Sequence, residues 1–139
     1  MAAMLTTENV YTRSRGFPCY STFAWLGTDL AATVANVTII LREKLWENAG
    51  TVGAHFLSLL KPLEKLKSVK EVRGIGLLFA IELTDALRAT DVQKTLAEAG
   101  MLVETIGNAL FLTPHLVLTK QEAEEGAKIL NEILAKKNL

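Results

Sequence analysis

From Leu30 the apolar positions Leu30, Val34, Val37, Leu41 and Leu45 recur in steps of three and four, the spacing that lines one face of an α-helix. Thr28 stands where an N-cap would, and Asp29 beside it suits the positive end of the helix dipole. The small residues Ala31, Ala32 and Ala35 flank that face and leave room for another backbone. A second helical pattern covers about 48–66 through Val52, Phe56, Leu59, Leu60 and Leu63, with Pro62 placed to kink or shorten its end. Then the period changes. Residues 69–73 and 77–83 are short runs rich in Val, Ile, Leu and Phe and read as strands, with Gly74 and Gly76 between them. Thr90 opens T-x-x-Q with Gln93, a capping-box pattern for a helix that closes at Gly100. Residues 101–103 and 109–112 read as two more strands around the turn signal Gly107-Asn108. Thr119 opens T-x-x-E with Glu122, and the last helix sets Ala123, Ala127, Leu130 and Leu134 on one face.

The expected order is therefore ααββαββα, an α+β fold with helices packed on a small, mostly antiparallel sheet. Residues 1–20 show no sustained period and read as an irregular lead-in, leaving 21–139 as a single domain. A chain of 139 residues is long enough for one sizeable core. Half the residues are hydrophobic, so the composition is that of a folding chain. Lysine plus arginine equals aspartate plus glutamate, and this lack of a basic surplus argues against nucleic acid or an anionic membrane as partner. No apolar run is long enough for a transmembrane helix, and the N-terminus lacks the layout of a secretory signal. Cys19 is the only cysteine, which excludes an internal disulfide and a multi-cysteine zinc site. His55 and His115 have no acidic or cysteine cluster at ligand spacing, so no metal site is expected. These features fit a reducing cytoplasm.

The glycine pair in EVRGIGLLFAIEL poses a choice. A dinucleotide fingerprint needs its glycines after a strand and at the start of a helix, where backbone N–H groups meet the phosphates. Here a strand-like run follows Gly76 and the third glycine is missing. The expectation is a bulge or tight bend between two paired strands, with no phosphate contact. Arg73 beside the pair has a structural role as its expected one, solvated or lying along the surface.

Four segments in order carry a resemblance: Thr22-Phe23, then residues 27–31, then residues 72–77 (VRGIGL), then residues 111–116 (FLTPHL). Together they resemble the C-terminal, small-domain part of the class III aminotransferases, the ornithine, acetylornithine and ω-type enzymes that depend on pyridoxal 5′-phosphate. The resemblance runs from about Ser21 to the end of the chain. It implies an aminotransferase parent that moves an amino group from an amine or amino acid to a keto acid. It also implies that Thr22 reaches the cofactor phosphate across a dimer interface, with Ser21 assisting through its backbone N–H. Neutral donors suit a phosphate because hydrogen bonds to a charged acceptor are the stronger kind.

The departures from the family pattern are informative. The Asn-Pro of the helix start is Thr28-Asp29, and the second proline of the P-P pair is His115. The arginine that in many members grips a substrate carboxylate falls on Phe111. The resemblance with this change implies an amine-type or otherwise unusual substrate. Pyridoxal phosphate chemistry needs a Schiff-base lysine and a carboxylate for the pyridine nitrogen. In the family both lie upstream of the Thr-Phe pair, whereas here the first lysine is Lys44 and the one acidic residue before Thr22 is Glu8. The expectation is a closing part without its cofactor-binding large domain. Alone it binds no cofactor, holds no catalytic residue and is inactive. Its expected partners are that missing large domain or a second subunit, as in a homo-oligomer. The competing expectation is a stand-alone, non-catalytic α+β binding or interaction module.

Overall fold

The computed structural model describes residues 6–14 and 27–137. The chain separates into two compact units, Met1–Glu43 and Lys44–Leu139. In the first unit α1 (Glu8–Ser14) is helical where the sequence shows no apolar period. Polar pairs four residues apart hold it: Thr12 Oγ1 donates to Glu8 Oε1 at 3.2 Å and Arg13 Nε to Asn9 Oδ1 at 3.2 Å. No residue of α1 is buried. Helix α2 (Gly27–Glu43) is already helical at Gly27, so Thr28 lies inside the first turn and is not the N-cap. None of its residues is buried either.

Lys44 has φ 50°, the left-handed region that a residue with a Cβ adopts at a cost of about 1–2 kcal/mol. It separates α2 from α3 (Leu45–Leu60), and Leu45 therefore opens the second helix instead of closing the first. Pro62 acts as its position predicts. The α-helix stops at Leu60 and the chain tightens into a 3₁₀ turn, Lys61–Lys65, with proline near its start where no N–H is missed.

Four strands follow the sequence reading with one shift. β1 (Val69–Ile75), β2 (Leu78–Leu83), β3 (Glu104–Ile106) and β4 (Ala109–Leu112) form one antiparallel sheet in the order β1-β2-β4-β3. Residues 101–103, expected as a strand, are irregular and the pairing starts at Glu104. Gln93 of α4 (Ala89–Glu98) explains the shift: its Nε2 donates to the Val103 carbonyl at 2.8 Å and takes that group out of any ladder. Gln93 is therefore not closing a capping box. Arg88 is the N-cap and gives no side-chain bond, and Thr90 sits within the helix. The cap comes from elsewhere. Asn108, in the β3–β4 turn, accepts from the Ala89 N–H at 2.9 Å and donates to the carbonyls of Leu83, Thr84 and Leu87. The other end of α4 matches expectation, with Gly100 at φ 84° and Met101 N donating back to Leu96 O at 2.8 Å.

One face of the sheet makes the core. Phe79, Ile81 and Leu83 of β2 are buried, while Leu78 is exposed and Glu82 is half-buried on the opposite face. Against the inner face stand Phe56 and Leu60 of α3, Val92 and Leu96 of α4, and Leu130 and Leu134 of α5 (Lys120–Lys136). Each such side chain stabilises the fold by about 1.5–3 kcal/mol on burial. Helix α5 begins at the predicted capping box: Glu122 N donates to Thr119 Oγ1 at 3.2 Å, and Thr119 N donates to Glu122 Oε2 at 2.8 Å. The Thr119 N–H foremost, and then the Thr119 hydroxyl, which donates to the same Oε2 at 2.8 Å, hold the Glu122 carboxyl below its ordinary range.

The outer edge of β1 is covered. The Val72 N–H points away from β2 and donates to Glu64 Oε1 of the 3₁₀ turn at 2.8 Å. A register shift between Val69 and Glu71 marks a bulge on the same strand, away from the glycines.

Candidate functional site

The VRGIGL segment forms the end of a hairpin. Ile75 pairs with Leu78, and Gly76 with Leu77 make a two-residue loop in which Gly76 alone has a positive φ, 55°. Glycine at the first central position suits a II′-type turn. No helix begins at Gly76, so the segment is not a phosphate loop. The turn in its place demands a glycine in α3. A Cβ on Gly53 of α3 would stand 2.0 Å from the Gly76 carbonyl oxygen, so the helix backbone and the hairpin tip lie in direct contact. Gly74 leaves room for a ring, because a Cβ there would lie 2.5 Å from Phe79 Cδ1. Phe79 in turn meets Phe56 edge to face, with centroids 5.0 Å apart.

The FLTPHL segment leaves the sheet at the end of β4. Phe111 pairs with Ala80 on one side and Glu104 on the other, and is half-buried. Beyond it the chain is tied to α3: Asn48 Nδ2 donates to the carbonyls of Leu116 at 2.8 Å and Leu118 at 3.1 Å. His115 is exposed and its carbonyl accepts from Leu118 N at 3.0 Å.

Two depressions meet at Phe111. One, of about 320 Å³, lies on the outer face of the sheet between Arg73, Ile75, Leu78, Ala80 and Phe111. The other, of about 340 Å³, lies past the end of β4 among Phe56, Met101, Val103, Thr113 and Leu118, with Glu104 and Glu122 at its border. Ile75 is 80% exposed, so the first depression has an open apolar wall. Arg73 lines that depression, but its guanidinium is occupied. Nη1 donates to Glu82 Oε2 at 2.8 Å and to Glu71 Oε2 at 2.9 Å, while Lys70 Nζ donates to the other Glu82 oxygen at 2.6 Å. Lys70 and then Arg73 draw the Glu82 carboxyl below its ordinary range, and Glu82 raises both cations in return. Arg73 thus has the expected structural role, as part of a ladder of charges across the hairpin. His55 Nε2 lies 3.1 Å from Glu124 and links α3 to α5. Among the described residues no cluster of His, Cys, Asp and Glu could hold a metal ion. No helix there is long and apolar enough to cross a membrane.

The sequence-predicted site residues Thr22 and Ser21 lie outside the described residues. Of the three motifs that are described, the depressions bring together residues 72–77 and Phe111 with its neighbours, while residues 27–31 open α2. The sequence does not single out Asn48 or Gly53, and marks Asn108 only as half of a turn signal. For Gly53 there was a signal, since a glycine inside a helical pattern often marks a close approach. For the bonds the two asparagines make there was none, because their partners lie far along the chain.

Comparison with known proteins bears on the same motifs. The family described as aminotransferase class-III matches residues 1–134. The acetylornithine aminotransferase of Methanothermobacter thermautotrophicus is 28% identical over 97% of this chain and 35% of its own length. That of Lactococcus lactis is 38% identical over 82% of this chain and 30% of its own. The ornithine aminotransferase of Plasmodium falciparum is 38% identical over 75% of this chain and 26% of its own. A solved structure of Plasmodium falciparum ornithine δ-aminotransferase superposes with a TM-score of 0.72 at 35% identity, covering 76% of this chain and 28% of that one. An amine transaminase from an uncultivated Pseudomonas species, solved with pyridoxal phosphate bound, gives 0.70 at 36% identity, over 76% of this chain and 27% of that one. The chain thus spans about a quarter to a third of the length of these relatives.

Proposed function

The chain belongs to the class-III aminotransferase family, and from that premise we propose that it forms the C-terminal, small-domain part of a transaminase acting on an amine-type donor. What supports this reading is Phe111. It stands where many members of the resembled family carry a carboxylate-gripping arginine, and in this fold it joins Ile75, Leu78 and Ala80 in an open apolar wall. A carboxylate against that wall would lose hydration with no free cation in return, because Arg73 is already engaged. An apolar substrate tail would instead gain about 0.8 kcal/mol per buried methylene. Phe111 therefore orients an apolar group and excludes water.

In the intact parent, bound pyridoxal phosphate would supply the electron sink for amino transfer. The described residues of this chain do not fit its aldehyde end, since neither depression at Phe111 is lined by a lysine. The reading assigns the lysine and its carboxylate partner to the large domain. Thr22, with the Ser21 backbone N–H, donates to the cofactor phosphate in the assembled enzyme. It also places the parent in the cytoplasm as a homodimer, supported by the single Cys19 and by the exposed apolar residues of α2.

The experiment is direct. The 139-residue chain is mixed with pyridoxal phosphate, reduced with borohydride and weighed intact. The expected outcome is no stoichiometric adduct. A single lysine carrying the cofactor in full yield would overturn the division of labour proposed here.

A further inference from the structure

We propose that Glu64 guards a self-complementary sheet edge, and that removing its acceptor oxygen lets β1 pair with β1 of a second copy of this chain. The sheet has two edges: β3, of three residues, and β1, of seven. An open edge offers unpaired N–H and C=O groups to any passing strand, and the longer edge is the greater hazard. In a hairpin closed by the pair Ile75 and Leu78, residues 71, 73 and 75 bond to β2 while Val72 directs its N–H and C=O outward. That N–H is the one Glu64 takes, at 2.8 Å, and Lys61 Nζ holds the same carboxylate oxygen at 2.8 Å.

The sequence of β1 says what the edge fits. In an antiparallel pairing centred on Val72, Glu71 falls opposite the second copy's Arg73, and Arg73 opposite its Glu71. Directly opposed residues share a face, so the Arg73–Glu71 pair already made within each copy is joined to its mate by two further opposite-charge contacts across a two-fold axis. Lys70 falls opposite Gly74 and meets no like charge. A second copy of this chain is thus the occupant that the charges favour. The Glu64 carboxylate blocks it by filling the central bond.

The full chain is compared by sedimentation as Glu64→Ala and Glu64→Gln, with folding checked by circular dichroism. Glutamine keeps an oxygen that accepts the Val72 N–H, whereas alanine leaves that N–H open. Self-association of Glu64→Ala is expected to be about tenfold tighter or more than that of Glu64→Gln, a difference set by one unsatisfied backbone donor. Association through any other surface is common to both variants and does not enter the difference. Adding Arg73→Glu to Glu64→Ala should abolish the gain, and adding Glu71→Arg as well should restore it. If Glu64→Ala loses its fold, Glu64→Leu keeps the bulk without the acceptor and carries the same comparison. Equal association of the alanine (or leucine) and glutamine variants would overturn the proposal, as would failure of the charge swap to restore pairing.

Discussion

Helices α2 and α3 are of nearly equal length, 17 and 16 residues, and both carry apolar residues at helical spacing. Yet α2 buries none of its residues, while α3 buries Val52, Gly53, Phe56 and Leu60. On α2, Leu30, Val34, Val37 and Leu41 all stay exposed. Periodicity therefore states that a helix has a face to bury, and says nothing about whether the partner is in the same chain. For α3 the partner is the sheet and α5. For α2 the reading proposed above supplies it from the remainder of a transaminase, consistent with a chain that spans a minority of its relatives' length.

Truncation should break the symmetry of the two helices most visibly. Leu60→Ala removes a wholly buried side chain and is expected to destabilise the chain by about 2–5 kcal/mol. Val34→Ala, at a position 67% exposed, should stay within about 0.5 kcal/mol. Urea denaturation of both variants checks the pair. A large loss from Val34→Ala would mean that α2 already has a partner.

Two glycines sharpen the comparison within α3. Gly53→Ala forces a methyl into the Gly76 carbonyl and should cost about 1–3 kcal/mol. Gly50→Ala meets nothing within 4 Å and should stabilise by about 0.5–1 kcal/mol through helix propensity. Thermal melts of the two variants should move in opposite directions.

The smallest effect concerns the charge ladder on β1 and β2. The folded-state pKa of Glu82 is depressed, so its contribution is complete above the ordinary glutamate value of 4.5 and is lost as pH falls through the lower folded value. Glu64, depressed first by Lys61 and then by the Val72 N–H, acts in the same sense and the same window. The wild type should therefore lose stability below about pH 4.5 more steeply than Glu82→Gln, as followed by urea midpoints across acid pH.

Much of the fold was legible because its signals are local. The Thr119–Glu122 capping box, the Pro62 stop, the Gly100 cap and the apolar run of β2 each depend on residues close in sequence, and each is found where the pattern puts it. The misses have a common cause. T-x-x-Q at Thr90 looked like a box, but Asn108 supplied the cap and Gln93 was drawn to Val103. Those bonds join residues that only the fold brings together. Lys44 was missed because a left-handed lysine leaves no mark in a hydrophobic pattern, and α1 because its support is polar. The candidate site was legible in part. Phe111 and the glycine hairpin meet as neighbours on one sheet, whereas their shared apolar wall with Ile75 and Leu78 needed the β2–β4 and β1–β2 registers.

The central claim is that one helical unit is complete in this chain and the other is not. Native-state hydrogen exchange on the dilute chain tests it residue by residue. The account predicts that amides of α3, β2 and β4 exchange only through global unfolding, while those of α2 exchange through local opening at far lower free energy. Rising protein concentration should then slow α2 alone, as its apolar face finds a second copy. Global-level protection of α2 in the dilute monomer would contradict the account, because the helix would need no partner from outside the chain.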